Sequence, residues 1–125
     1  MSQMELIAPN ATLPLSGAVK VNGMVFVSGH VGFALGTTEV VEGGVAEQTR
    51  ATLENIRAML EKAGSSLDKV VKTTVFLTNV VEDFPTMNKV YAEFFGEHRP
   101  ARSTVGVASL ARKDLLVEIE CIALV

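Results

Sequence analysis

Three charged residues sit where charges are costly. Arg102 stands at the mouth of an apolar, β-type run, in Arg99-Pro100-Ala101-Arg102-Ser103-Thr104-Val105-Gly106-Val107. Glu118 and Glu120 interrupt a second such run, Val117-Glu118-Ile119-Glu120-Cys121. A charge in a segment that otherwise reads as buried must be paired or used. Strand alternation puts Arg102, Thr104 and Gly106 on one side, and Glu118 and Glu120 on one side with Leu116, Ile122 and Leu124. If the two runs form a hairpin about Ala111-Arg112-Lys113-Asp114, Arg102 and a glutamate come close. Two readings follow. The pair is a salt bridge fixing the hairpin or an interface, or Arg102 offers its planar fork to a substrate carboxylate while Glu118 orients a water or a second polar group.

Other chemistries find little support. The chain has two histidines, His30 and His98, and neither has metal-ligand spacing to a partner. His98 lies in the charged stretch Gly96-Glu97-His98-Arg99 and is expected to be exposed, while His30 either lines a pocket beside Gly29 or is a plain loop residue. Cys121, the single cysteine, sits mid-strand and reads as a small core residue rather than a nucleophile. Ser28 lacks a Gly-x-Ser-x-Gly elbow. The glycines around Ser28-Gly29-His30-Val31-Gly32 let the backbone approach something closely, but have neither the spacing nor the lysine of a phosphate loop. Any catalysis therefore rests on Arg, Glu, Asn, hydroxyls and backbone groups. Such a set suits binding and water delivery in a reaction of low intrinsic barrier, not peptide or phosphodiester cleavage.

The bulk properties agree with a small enzyme or binding module. At 125 residues, 48% hydrophobic and 20% charged, the chain can bury a core and is expected to form one domain over 1–125. The net charge is -3 and the cations form no basic run, which argues against nucleic acid as a partner. No segment approaches the ~20 apolar residues of a membrane helix. The single cysteine is ordinary for a reducing compartment, so a cytoplasmic location is expected, or the mitochondrial matrix if a targeting peptide has been removed. Mean hydropathy is high, +0.33, so part of the surface is expected to meet another subunit.

Two amphipathic helices and five strands must position these groups. Gly17–Val21 and Met24–Ser28 flank Asn22-Gly23, a strong hairpin signal. Val45–Ala63 carries Thr49, Thr52, Leu53, Ile56, Met59, Leu60 and Ala63 on one stripe, with Gly64 as its stop. Lys69–Asn79 reads as a strand, with Val71, Thr73, Val75 and Leu77 on one face. A second helix is expected from an N-cap at Asp83, with Pro85 in its first turn and Phe84, Met87, Tyr91, Phe94 and Phe95 at core spacing. Asn88 lies on that packing face, and its spacing favours a structural amide over a pocket group. The Pro9–Pro14 lead-in reads as irregular. The order β-β-α-β-α-β-β gives an α+β fold, one mixed sheet with two helices on one face. The other face lacks a cover, which other copies of the chain could supply.

Pro100-Ala101-Arg102-Ser103-Thr104-Val105 with Val117-Glu118-Ile119-Glu120 resembles the C-terminal signature of the RidA/YjgF family, also named L-PSP endoribonuclease or translation inhibitor. The resemblance extends to Val25–Gly29, Thr52–Ile56, Val70–Leu77 and Met87–Phe95. It implies a chorismate-mutase-like α+β fold and a homotrimer with clefts between subunits. It also implies hydrolysis of reactive enamines and imines, such as 2-aminoacrylate, to 2-oxo acids and ammonia, with no cofactor and no metal. In that scheme Arg102 matches the carboxylate-binding arginine and Glu118 the glutamate that helps place water. Ser28, Gly29 and Asn88 match further pocket positions. Ligands would be small 2-imino and 2-oxo acids. The chain departs from the pattern at Leu15, where archetypal members carry a tyrosine, and at Thr104, where many carry a cysteine. These departures leave a carboxylate-binding regulatory protein without turnover as the alternative. A ribonuclease or translation inhibitor has the acidic balance and the lack of a histidine pair against it.

Overall fold

The computed structural model describes residues 3–125. Six strands form one sheet: β1 Glu5–Pro9, β2 Ser16–Val21, β3 Met24–Val31, β4 Val70–Leu77, β5 Ala101–Gly106 and β6 Val117–Leu124. Helix α1, Val45–Lys62, joins β3 to β4, and helix α2, Val80–Phe95, joins β4 to β5. The spatial order is β1-β2-β3-β6-β4-β5. All neighbours are antiparallel except β4 and β5, whose parallel pairing needs the α2 crossover.

The hairpin forms as its sequence demands. Asn22 and Gly23 both have positive φ, 52° and 76°, and Val21 pairs with Met24 across them. The α1 stripe is buried through Thr49, Thr52, Leu53, Ile56, Leu60 and Ala63. It packs with Met87, Tyr91 and Phe95 of α2 on Val25, Val27, Val75, Leu77, Val117, Ile119, Cys121 and Ala123. At the start of α1 the Glu47 carboxylate accepts the Gly44 N–H at 2.8 Å. Gln48 is buried and ties the helix to the loop before β6: its Nε2 donates to the Asp114 carbonyl at 2.9 Å, and its Oε1 accepts the Leu116 N–H at 2.8 Å.

The lead-in is irregular beyond Pro9, as its composition implies, and an unforeseen strand, β1, runs up to Pro9 and pairs antiparallel with β2 as an edge. Three local expectations need correction. Helix α2 starts at Val80, ahead of Asp83, because the Asp83 N–H continues the helix to the Asn79 carbonyl at 2.9 Å. Pro85 then falls in the second turn, and the carbonyl it leaves without an amide belongs to Val81, 88% exposed and open to water. On β4 a bulge between Val70 and Lys72 shifts the period, so Val70 joins Thr73, Val75 and Leu77 on the buried face and Val71 is exposed. Last, β5 and β6 do not pair. β4 lies between them, pairing with β5 on one side and β6 on the other.

Both helices cover the same face. The opposite face is apolar and open: Leu6, Phe26, Val105 and Leu124 stay 41–55% exposed there.

Candidate active site shared between two faces of the sheet

Arg102 is in register with Thr73 of β4, which in turn pairs with Cys121 of β6. All three point to the helix face. The Arg102 guanidinium lies over two rings of α2, its Cζ 4.7 Å from the Tyr91 centroid and 5.6 Å from that of Phe84. Tyr91 is itself fixed, since its hydroxyl shares a 2.7 Å hydrogen bond with Thr73 Oγ1 and its ring stacks on Phe95 at 4.6 Å. Burial pushes the Tyr91 phenol up, so it stays neutral at physiological pH and serves Arg102 as a ring surface, not as a counter-ion. No carboxylate pairs with Arg102 among the described residues. The guanidinium opens instead on a cleft of about 370 Å³, which Asn88 and Tyr91 also line. Among the described residues the Asn88 side chain has no hydrogen-bond partner, and it lines the cleft and does not tie down a loop. Thr104 shares the helix face two residues on, and its Oγ1 is buried without a partner.

A second group gathers on the other face. Glu118 pairs with Val31 of β3 and Phe76 of β4. Between Val27 and His30 the register shifts, so Ser28 and Gly29 form a bulge opposite Glu120. The bulge brings the Gly29 backbone under the Glu118 carboxylate so closely that a Cβ at Gly29 would collide with Oε2. Glycine at 29 is thus a requirement of where Glu118 sits. The Ser28 hydroxyl donates to the Ser16 carbonyl at 2.6 Å, which leaves its oxygen able to accept from a ligand. Leu15 precedes Ser16 and is 51% exposed. Burial first, and then the neighbouring Glu120 charge, push the Glu118 carboxyl above the ordinary glutamate range.

The sequence-derived residues therefore fall into two sets. Arg102 and Asn88, with Thr104 nearby, stand on the helix face at the β5 edge. Glu118, Gly29 and Ser28 stand on the open face, and Leu15 lies in the loop that leads into β2. The expected Arg102–Glu118 contact does not occur within one chain, because β4 intervenes and the two side chains leave the sheet on opposite sides. Glu120 is exposed, on the open face with Glu118.

Comparison with known proteins decides the family. A model of the family described as Endoribonuclease L-PSP matches residues 6–125. A RutC family protein of Pyrococcus abyssi is 48% identical over 116 residues, covering 93% of this chain and 90% of that protein. A 2-iminobutanoate/2-iminopropanoate deaminase of Dermatophagoides farinae is 40% identical over 119 residues, covering 95% and 91%. The solved structure of E. coli TdcF with bound serine superposes with a TM-score of 0.86 at 41% identity, covering 96% of this chain and 98% of that one. The chain belongs to the RidA/YjgF family. Some relatives in it bear the names of imine deaminases, and one structure holds a small amino acid.

Within this RidA/YjgF fold the remaining candidates take structural places. His30 points to the helix face, away from Glu118; burial lowers its pKa against a smaller opposing effect of a backbone hydrogen bond to Gly17, so it is neutral. His98 is not exposed as expected, because its Nε2 lies 2.7 Å from the Val70 carbonyl and fastens the loop to β4. Cys121 is a core residue whose thiol burial pushes up to about 12. The aromatic rest for Arg102 was only half legible. Tyr91 and Phe84 read as core spacing, but Phe84 is 38% exposed and serves Arg102 instead. Nothing in the sequence paired Thr73 with Tyr91.

Proposed function

We propose that this chain hydrolyses small 2-imino acids, and the enamines that tautomerise to them, to 2-oxo acids and ammonia. It does so as a homotrimer whose sites are shared between neighbouring subunits. The observation that carries the reading is the separation just described: an unpaired guanidinium on one face, and a glutamate carboxyl beside a glycine on the other. Neither half is a site alone. A second copy seated on the open face brings one copy's Arg102 toward another's Glu118, and the apolar residues Leu6, Phe26, Val105 and Leu124 supply the contact surface for it. The deaminase name of a relative 40% identical supports the substrate class.

The chemistry asks little of the protein. Arg102, held over Tyr91 and Phe84, takes the substrate carboxylate through paired charge-assisted hydrogen bonds and fixes the imine carbon in place. Glu118, once deprotonated, accepts a proton from a water aimed at that carbon. The water oxygen bonds to carbon as the C=N electron pair moves to nitrogen. Nitrogen takes that proton back from Glu118 to give the carbinolamine, which then releases ammonia: Glu118 carries the hydroxyl proton to nitrogen, the C–N bond breaks with its electron pair on nitrogen, and the C=O bond forms. Ser28 and Asn88 hold the polar atoms of substrate and water. Leu15 supplies an apolar side chain to one wall. Because imines hydrolyse readily, orientation and a single proton relay suffice.

The test couples a pyridoxal-phosphate dehydratase that releases 2-aminoacrylate to the purified chain and follows imine loss. Acceleration that disappears in Arg102→Ala is the expected result. No acceleration by the unaltered protein, or full acceleration by the variant, would refute the reading. In the first case a carboxylate-binding regulator would replace it, and Arg102-dependent binding of 2-oxo acids without turnover would be its signature.

A further inference from the structure

The chain has five arginines. Three meet carboxylates: Arg50 with Glu93 at 3.8 Å, Arg57 with Glu54 at 2.8 Å and Arg112 with Asp114 at 3.0 Å. The other two, Arg99 and Arg102, meet none among the described residues, and both line the same cleft. No aspartate or glutamate lines it. In a chain of net charge -3 this is a local reversal of sign, concentrated where the substrate carboxylate is taken up. The two guanidinium groups differ in kind. Arg102 is half-buried and braced on Tyr91 and Phe84, whereas Arg99 is exposed at the rim. The root of Arg99 is nonetheless fixed. His98 before it is fastened to the Val70 carbonyl, and Pro100 after it holds its own φ near -65°. Three residues of chain separate the two Cα atoms by at most about 10 Å, so the side chains can hold two anionic groups a few bonds apart.

We infer that the cleft selects 2-imino acids bearing a second carboxylate, of four or five carbons, with Arg102 on the carboxylate next to the reacting carbon and Arg99 on the terminal one. This rests on the imino-acid reading above. Arg99 is a specificity-determining residue in it. The methylenes between the two carboxylates lie along the Tyr91 and Phe95 side of the cleft. A single carboxylate would engage Arg102 alone and leave Arg99 to water.

The experiment measures binding of 2-oxoglutarate and 2-oxobutanoate, stable analogues of the two product classes, by calorimetry on the unaltered protein, Arg99→Gln, Arg102→Ala and Lys113→Gln. Steady-state kinetics with the matching imines, released by an amino-acid oxidase, accompany it. The unaltered protein should favour the dicarboxylate, and Arg99→Gln should weaken 2-oxoglutarate about tenfold, the range of one partly desolvated charge contact. Its KM for the dicarboxylic imine should rise by the same factor with kcat unchanged, and 2-oxobutanoate should not notice. Lys113→Gln should alter nothing, which separates a local contact from general charge attraction. Equal affinity for the two acids, or an Arg99→Gln effect of the same size on both, overturns the proposal while leaving Arg102 and the imino-acid reading intact. Failure of both acids to bind the unaltered protein overturns that reading and this one together.

Discussion

Gly29→Ala is the most discriminating single substitution. An ideal Cβ at position 29 would overlap Glu118 Oε2, lie 2.8 Å from its Cδ and 3.1 Å from its Cγ. To reach an ordinary contact of about 3.4 Å, the carboxyl carbon must retreat by roughly 0.6 Å and the oxygen by more than about 1 Å. The three nearest obstructing atoms all belong to one rotatable side chain. Folding should therefore be nearly unaffected, with a change within about 0.5 kcal/mol. Catalysis should not be: a proton relay displaced by about 1 Å costs on the order of 10²-fold in kcat/KM. The assay is imine hydrolysis beside thermal unfolding, in a cycle with Glu118→Gln. If Gly29 acts by seating Glu118, the double variant is no slower than Glu118→Gln alone. A full-rate Gly29→Ala, or losses that multiply in the double variant, would refute that placement of Glu118.

Further outcomes follow from the same geometry. Since burial and Glu120 raise the Glu118 carboxyl, kcat/KM should fall as pH drops through a point above 4.5, and Glu118→Gln should lose that acid limb along with most of the rate. The same shift has the opposite sign for stability. A carboxyl that holds its proton better folded than unfolded stabilises the separate subunit below its unfolded pKa and loses that contribution as pH rises through the folded one. Glu118→Gln should thus unfold at a higher temperature than the unaltered protein near neutral pH, and the gap should close in acid; a gap that widens in acid would contradict the assigned cause. Leu53, fully buried between α1 and the sheet, should cost roughly 2–5 kcal/mol when cut to alanine, read as a lower denaturant midpoint.

The sequence disclosed the parts of this molecule better than their assembly. The α1 stripe, the Asn22-Gly23 turn and the alternation of β5 and β6 follow from local rules, and each holds in the fold. What local rules cannot supply is which strands are neighbours. The short spacing from Arg102 to Glu118 suggested a hairpin, yet β4 is apolar on one face and carries Phe76 on the other, and it takes a partner on both edges. Its insertion sends Arg102 and Glu118 to opposite faces. The β4 bulge escaped for a related reason, since an extra residue breaks a period that the sequence itself continues. β1 was hidden by the prolines and asparagine that follow Ala8, whose φ of 50° marks the kink into the loop. Asn88 was weighed by spacing alone, and spacing favours a structural amide; its cleft exists only because the His98–Pro100 loop folds back to β4.

The proposed sharing of the site between subunits can be tested by mixing two inactive proteins. Arg102→Ala and Glu118→Gln chains are unfolded together, refolded as mixed trimers and assayed for imine loss. If each site takes its arginine from one subunit and its glutamate from another, random 1:1 assembly leaves about a quarter of the sites with both groups, and about a quarter of the unaltered rate returns. If both groups of a site belonged to one chain, every subunit in the mixture would remain defective and no activity would return.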